Sequence, residues 1–194
     1  MAAAGLVRKG LRLKVDASQW ATPDLQELVD LFFDQSSDLG RFEEVNQTEL
    51  PTQYAQLLAH HSHMTVTLEA FHDSLVDVTV LEAKTTDNHY SRTIVLDRQS
   101  DGAAVQYGIV RLNREYLGDD VFEEIRRQEE PLGRILIRHD VLRKVKLLSL
   151  WRVEAGKALR QALRLPDLQE CFGRTALIYC NGVPAVELLE IVVA

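Results

Sequence analysis

The segment HYSRTIVL, residues 89–96, carries an arginine in a row of apolar residues. Alternate side chains of a strand point to the same side, so Arg92 shares a face with three large side chains, those of Tyr90, Ile94 and Leu96. A guanidinium keeps its charge in proteins, and burying it among aliphatic side chains requires an anionic partner. That partner is a ligand's carboxylate or one of the protein's own; a structural Arg–Glu pair and an arginine at a sheet edge are the alternatives.

Two carboxylates stand in equally apolar rows near the C-terminus, in PAVELLEIVVA at residues 184–194. Strand alternation places Glu187 on one face and Glu190 on the other, each among aliphatic residues. A carboxyl group held in a dry environment has a raised pKa and can act as a general acid or a hydrogen-bond donor. The alternation does not choose between the two, and either could instead pair with Arg92 or lie at an edge.

The segment EEPLGRIL contains a third candidate, a helix start at Pro131. Proline at the first helical position leaves the following backbone N–H groups, including that of Leu132, free at the positive end of a helix, where an anion can bind. Gly133 permits the close approach of a ligand or another strand. Many helices begin in this way for structural reasons only.

Three histidines in HHSHM (His60, His61 and His63) are the most conspicuous group in the chain. Zinc sites need converging ligands at recognisable spacings, and the sequence has neither an HExxH motif nor paired CxxC motifs. We therefore expect these histidines to satisfy carbonyls at a helix end or to face solvent. The two cysteines, nine positions apart, are predicted to be free buried thiols. No metal and no cofactor is expected.

Charge and hydropathy exclude several classes of protein. The 194 residues include 46% hydrophobic and 26% charged residues, as in ordinary globular proteins, and the net charge of −7 argues against a nucleic-acid-binding surface. No run of residues resembles a membrane span, and four basic residues interrupt the first fifteen residues, unlike in a signal peptide. We expect a cytoplasmic protein whose partner is a small molecule, with neither nucleic acid nor membrane as a partner.

Helical and strand patterns alternate along the chain. Helices are predicted after Thr22-Pro23-Asp24, from Pro51, from Gly118 to Gln128, from Pro131 and from Glu154 to Leu165. Strands are predicted from Met64 onward, at 75–81, 90–97, 104–112, at 174–180 and at 185–193, the last two joined by the Asn181-Gly182 hairpin signal. The pattern of RKVKLLSLWRV is compatible with a strand or a helix, and its bulky residues favour a strand. The acidic segment 34–47 is predicted to be a loop.

These elements predict an α+β fold: a mostly antiparallel β-sheet with helices packed on one side. No linker or repeat divides the chain, so we expect one domain over residues 1–194. Residues 1–21 are expected to form a poorly structured or extended N-terminal segment.

Four motifs in order, HMT, SRTIVL, PLGRIL and NGVPAVELLE, resemble the chorismate pyruvate-lyase family over the chain from Met64 to Glu190. The resemblance implies a chorismate lyase-like fold and a cofactor-independent lyase that converts chorismate, or a similar enolpyruvyl carboxylate, into pyruvate and 4-hydroxybenzoate. It also implies that Arg92 and the N–H of Leu132 hold the ring carboxylate. Glu190, with the backbone of Met64, would hold the ring hydroxyl, and Glu190 would transfer the proton.

The chain departs from this family at two places. Gly108 stands where many members have a second charged residue, and Arg111 is displaced from that place by three positions. The acidic residue lies one position farther from the preceding proline than in enterobacterial members, so the match to Glu190 assumes a one-residue bulge or the spacing of a divergent branch.

Two other functions are compatible with the same residues. One is a non-catalytic domain that binds a small aromatic carboxylate, because related folds serve as effector-binding modules of bacterial transcription regulators. The first fifty residues are acidic on balance and show no clear helix-turn-helix, which favours a stand-alone protein. The other is an inert structural relative in which Arg92 and Glu190 pair with each other.

Overall fold

The computed structural model describes residues 24–166 and 170–194. Within them, seven strands form one sheet in which every neighbouring pair is antiparallel. The strands are β1 (Gly40–Val45), β2 (Val76–Thr85), β3 (His89–Arg98), β4 (Ala104–Asn113), β5 (Leu142–Ala155), β6 (Glu170–Cys180) and β7 (Val183–Val192). Their order across the sheet is β1-β5-β6-β7-β4-β3-β2. Two meanders, β2-β3-β4 and β5-β6-β7, are thus joined where β4 pairs with β7.

Seven α-helices in the described ranges pack on this sheet. They are α1 (Leu25–Asp30), α2 (Ser36–Leu39), α3 (Thr52–Leu58), α4 (Met64–His72), α5 (Asp119–Arg127), α6 (Leu132–Arg138) and α7 (Lys157–Leu163). The predicted α+β class is confirmed: the sheet is antiparallel, and helices α3 to α6 are gathered on one side of it. Helices α1, α2 and α7 pack against the opposite face.

The strand register fixes which side chains meet under α3 to α6. Directly opposed residues of antiparallel strands point to the same face. One such row crosses β3, β4, β7 and β6 through Ile94, Gly108, Glu190 and Arg174. The next row on this face passes through Arg92, Val110, Leu188 and Ala176. Charged residues in both rows are therefore built into the middle of the sheet.

The prediction of a strand beginning at Met64 is wrong, because Met64–His72 is helix α4. Strand alternation would bury Val66 together with Leu68, yet Val66 is 50% exposed. The buried residues Met64 and Leu68 are four positions apart, which is the spacing of one helical face. Packing of that face on the sheet overrides the local preference of the β-branched residues.

The prediction of a loop over 34–47 is also wrong. This segment forms α2 and β1, and β1 pairs along its whole length with β5. Its polar residues fit a strand at the sheet edge, where one side is exposed to water. Glu43 accepts a hydrogen bond from Arg152 of β5 at 2.9 Å, a cross-strand ion pair that an apolar pattern does not reveal.

The predicted hairpin between the last two strands is confirmed. Asn181 and Gly182 both have positive φ, 52° and 86°, as a two-residue turn of this kind requires. The pairing then shifts by one residue: Tyr179 opposes Pro184, whereas Ile178 opposes Val186, so β7 contains an extra residue just after its proline. The structure therefore contains a one-residue bulge in β7 between Pro184 and Glu190.

A single domain over 1–194 stays a prediction. The predicted N-terminal segment, residues 1–21, lies outside the described residues, as does the predicted helix cap Thr22. The cap observed for α1 is Asp24, whose side chain accepts a hydrogen bond from the backbone N–H of Gln26.

Candidate functional site

A cavity of about 40 Å³ lies between the middle of the sheet and the first residues of α4 and α6. Three of the four predicted site residues line it: Met64, Leu132 and Glu190. Apolar side chains form most of the remaining wall, among them Ile94, Leu96, Val145 and Leu188. Residues more than a hundred positions apart in the chain are thus brought together at one cavity.

Glu190 is held in a buried ion pair with Arg174, which also lines the cavity. The Nε of Arg174 donates to a Glu190 carboxylate oxygen at 2.7 Å, and the two side chains are 1% and 8% exposed, arginine first. The other nitrogens of Arg174 donate to backbone carbonyls between α3 and α4, with His60 at 3.0 Å and Ser62 at 3.4 Å. The charge of Arg174 is therefore fully engaged. The alternative in which Glu190 pairs with Arg92 is not what the structure contains.

Arg92 is completely buried but has far fewer partners. Its Nη1 donates to the carbonyl of Ile125 at 3.4 Å, near the C-terminal and negative end of α5. Its Nε and Nη2 have no hydrogen-bond partner among the described residues. We call these two groups the open guanidinium edge. Burial lowers the pKa of Arg92, an effect that nearby Tyr90 partly offsets.

Arg92 is adjacent to the cavity rather than in its described lining. It lies directly opposite Val110 on β4, and Val110 forms part of the wall. Arg92 and the cavity therefore lie on one face of the sheet, with Arg92 paired to a residue of the cavity wall. Arg92 thus lies in the same region of the fold as Met64, Leu132 and Glu190. The roles predicted for these four residues stay predictions.

Gln106 is a cavity residue that the sequence analysis did not single out. It is 3% exposed, and within residues 24–166 and 170–194 its Oε1 has no hydrogen-bond partner. We call this atom the open amide oxygen. Strand alternation places Gln106 on the same face as Gly108 and Val110. A polar residue in that row is the feature of the sequence that could have identified Gln106 as a site residue.

Gly108 and Gly133 act through the side chains they lack. A Cβ at Gly108 would lie 3.1 Å from Cγ1 of Ile94 and 3.3 Å from Nε2 of Gln106, so glycine leaves room for both side chains at the cavity. A Cβ at Gly133 would lie 3.1 Å from the hydroxyl oxygen of Thr65. The close approach expected at Gly133 is therefore made by helix α4.

Glu187 faces away from the cavity, which answers the choice left open between the two carboxylates. It accepts hydrogen bonds from Arg111, one of them at 3.0 Å, and Arg111 also donates to Glu27 of α1 at 3.0 Å. The bond to Glu187 raises the pKa of Arg111. This network lies on the face covered by α1, so Arg111 adds no second positive charge to the cavity.

Of the three clustered histidines, His60 is bonded at the end of a helix, whereas His63 lines the cavity. Nε2 of His60 lies 2.7 Å from the carbonyl of Leu57 at the end of α3, and its Nδ1 accepts from the backbone N–H of Ser62 at 3.1 Å. This confirms the predicted role for His60, and burial together with Arg174 lowers its pKa. In the described part of the chain, no three His, Cys, Asp or Glu side chains are grouped so as to hold a metal ion. Cys171 and Cys180 are free and buried, as predicted.

None of the helices in the described ranges has the length and hydropathy needed to cross a membrane.

Comparisons with known proteins identify solved structures only: no family model matches the chain, and no curated protein matches it. PhnF from Mycobacterium smegmatis matches with a TM-score of 0.53 and 11% identity, covering 68% of this chain and 63% of that one. YydK from Bacillus subtilis, described as a possible transcriptional regulator, has a TM-score of 0.48, 14% identity and coverages of 62% and 60%. The effector binding domain of the B. subtilis trehalose repressor TreR has a TM-score of 0.39, 9% identity and coverages of 60% and 89%. The chain thus spans less than two thirds of PhnF and of YydK.

The predicted chorismate pyruvate-lyase is wrong. Among these comparisons the match with a TM-score above 0.5 is PhnF, and none of the structures named above is described as a lyase. In the site, the carboxylate of Glu190 accepts a hydrogen bond from Arg174 in a buried ion pair, a partner that the sequence analysis did not identify. The roles predicted for Glu190 and Arg92 stay predictions, and the fold shared with PhnF extends over 68% of this chain.

Proposed function

We propose that this protein binds a small organic anion without transforming it, in the manner of an effector-binding domain, and that the ligand is an aromatic carboxylate. The open guanidinium edge of Arg92 is the observation that carries the proposal. A buried positive charge costs several kcal/mol unless it is paired, and neither the bond to the Ile125 carbonyl at 3.4 Å nor the neighbouring Tyr90 hydroxyl supplies the carboxylate partner that would offset that cost. A carboxylate supplies both the missing charge and the acceptors for Nε and Nη2.

The surroundings of Arg92 suit the rest of such a ligand. The cavity beside it is lined by the aliphatic side chains of Ile94, Val145 and Leu188, which favour an apolar ring. Arg174 and Glu190 already neutralise each other at the far side, so the charge left to be matched is that of Arg92. A monoanion fits this balance better than a dianion.

The size of the cavity sets a condition on binding. A cavity of about 150 Å³ is known to hold benzene, so the 40 Å³ found here must widen before it admits a ring. Met64 stands at the wall and has three rotatable bonds, which allows its side chain to move without displacing a helix. Binding should accordingly be slower than simple diffusion into a preformed site.

Titration calorimetry with benzoate and 4-hydroxybenzoate tests the proposal. Wild-type protein should bind at least one of them, and Arg92→Met should weaken binding about 10-fold to 150-fold, as expected for losing charged hydrogen bonds worth about 1.5–3 kcal/mol. Arg98→Met is the matched control, because it removes the same charge from the same strand at the exposed pair with Asp101. Absence of binding by wild type, or equal losses in both variants, would refute the proposal.

A further inference from the structure

Gln106 is the second buried polar group at this site that the protein leaves incompletely bonded. A side-chain amide removed from water normally finds partners for its oxygen, since an unpaired buried acceptor costs about 1–3 kcal/mol. Gln106 lines the cavity and its amide oxygen is left without a partner, whereas another buried polar residue of the lining, Arg174, is bonded. It therefore points to a donor that the ligand brings.

The position of Gln106 relative to Arg92 defines two ends of a binding site. Arg92 lies opposite Val110, and Gln106 lies four residues before Val110 on the same strand and the same face. Four residues of an antiparallel strand span about 13 Å, which the reach of an arginine, a glutamine and one ring between them can bridge. The carboxylate end and the amide end are thus separated along β4.

Glu190 is less suited to receive the same donor. One of its carboxylate oxygens already accepts from Arg174 at 2.7 Å, and that pair holds it at the middle of the sheet. Gly108 places no side chain between Gln106 and Glu190, and a Cβ there would lie 3.3 Å from the amide nitrogen of Gln106. The absence of a side chain at Gly108 therefore leaves space for the amide group of Gln106 beside the cavity.

We infer that Gln106 is a specificity-determining residue, whose amide oxygen accepts a hydrogen bond from a hydroxyl or amino group of the ligand. The inference rests on the proposed function and narrows it: the ligand class is an aromatic carboxylate that also carries a hydrogen-bond donor. A ligand with only an acceptor at this end, such as an ether oxygen, gains nothing from Gln106.

The test compares affinities for benzoate, 3- and 4-hydroxybenzoate, 4-aminobenzoate and 4-methoxybenzoate by titration calorimetry. Wild type should bind at least one hydroxy or amino compound about 10-fold more tightly than benzoate, and the methoxy compound no more tightly than benzoate. Gln106→Leu should abolish this preference while leaving benzoate affinity within about 3-fold, because its hydrogen-bonding group alone is lost. Gly108→Ala should reduce the preference by displacing the amide.

The outcomes separate this inference from the proposed function. If benzoate binds in an Arg92-dependent way but wild type shows no preference for a donor, the role of Gln106 is refuted and the carboxylate site remains. A preference that survives in Gln106→Leu, or a preference for the methoxy compound, also refutes it. If none of the five compounds binds, both proposals fail together.

Discussion

Arg92 and Arg174 are two buried arginines on one face of the sheet with opposite electrostatic situations. Arg174 donates to a carboxylate and to backbone carbonyls, so its burial is compensated. Arg92 makes one long bond to a carbonyl. Replacing Arg92 removes a buried charge that has no anionic partner, whereas replacing Arg174 leaves the buried charge of Glu190 without its partner. The two substitutions should therefore have opposite effects on the free energy of unfolding.

We expect Arg92→Met to raise the free energy of unfolding of the ligand-free protein by about 1–3 kcal/mol, since it replaces a poorly compensated charge with an apolar side chain of similar length. Arg174→Met should lower it by about 3–5 kcal/mol, because the carboxylate of Glu190 is left buried and unpaired. Urea unfolding followed by circular dichroism measures both. A loss of stability in Arg92→Met as large as in Arg174→Met would mean that Arg92 is a structural residue.

Sequence alternation was sufficient to find Arg92, and the same reasoning applied to CFGRTALIY would have found Arg174. The partner of Arg174 was not predictable in that way. A hairpin of two turn residues without interruption would place Arg174 opposite Leu189, and the extra residue of β7 after Pro184 places it opposite Glu190 instead. A one-residue bulge has no reliable signature in one sequence, so the ion pair at the centre of the site follows only from the structure.

At the scale of elements, the site depends on where α4 begins. The segment between α3 and α4 is held to the sheet by Arg174 through the carbonyls of His60 and Ser62. The first turn of α4 is held to α6 by the close approach of Thr65 to Gly133. These two attachments position Met64 at the cavity, although neither involves its side chain.

A double-mutant cycle on Gly133 and Thr65 should detect the second attachment. Gly133→Ala brings a methyl group to 3.1 Å from the hydroxyl of Thr65, which opposes the gain of about 1 kcal/mol that alanine gives inside a helix. In the Thr65→Ala background the methyl group has room, so the same change should be more favourable by about 0.5–3 kcal/mol. Urea unfolding of the four proteins gives this coupling, and additive effects would show that α4 and α6 do not restrain each other here.

Element boundaries were predicted well where turn or capping residues mark them and poorly where packing decides. Pro51, Gly118 and Pro131 mark the starts of α3, α5 and α6, and each precedes the first residue of its helix directly. The errors at α4 and β1 have a common cause. Both elements are defined by what covers or pairs with them, which the local sequence does not record.

At the scale of the whole molecule, several histidines are held in environments that disfavour their charged form. Burial is the largest cause that lowers the pKa of His60, His63, His72 and His89 below the ordinary 6.5. In the unfolded chain these histidines take up protons as the pH falls through 6.5, whereas in the folded protein they do so only at lower pH. The unfolded state therefore binds more protons in that interval.

The free energy of unfolding should consequently be fully retained above pH 6.5 and should decrease as the pH falls from 6.5 toward the lower folded pKa values. Urea midpoints at pH 7.5 and 5.5 measure the difference. His60→Gln should reduce the pH dependence, since it removes one of the contributing groups. A midpoint that is unchanged or higher at pH 5.5 would contradict the expectation.

The strand β7 occupies the middle of the sheet, with three strands on either side, although it is the last strand in the chain. During synthesis the residues that emerge first can form the β2-β3-β4 meander, and β5 and β6 can pair later, but these parts have no direct pairing with each other. Only when residues 183–192 have left the ribosome can the halves be joined. That same strand delivers Glu190, so the cavity comes into existence in the step that completes the sheet, and a nascent chain ending before β7 has no site to occupy.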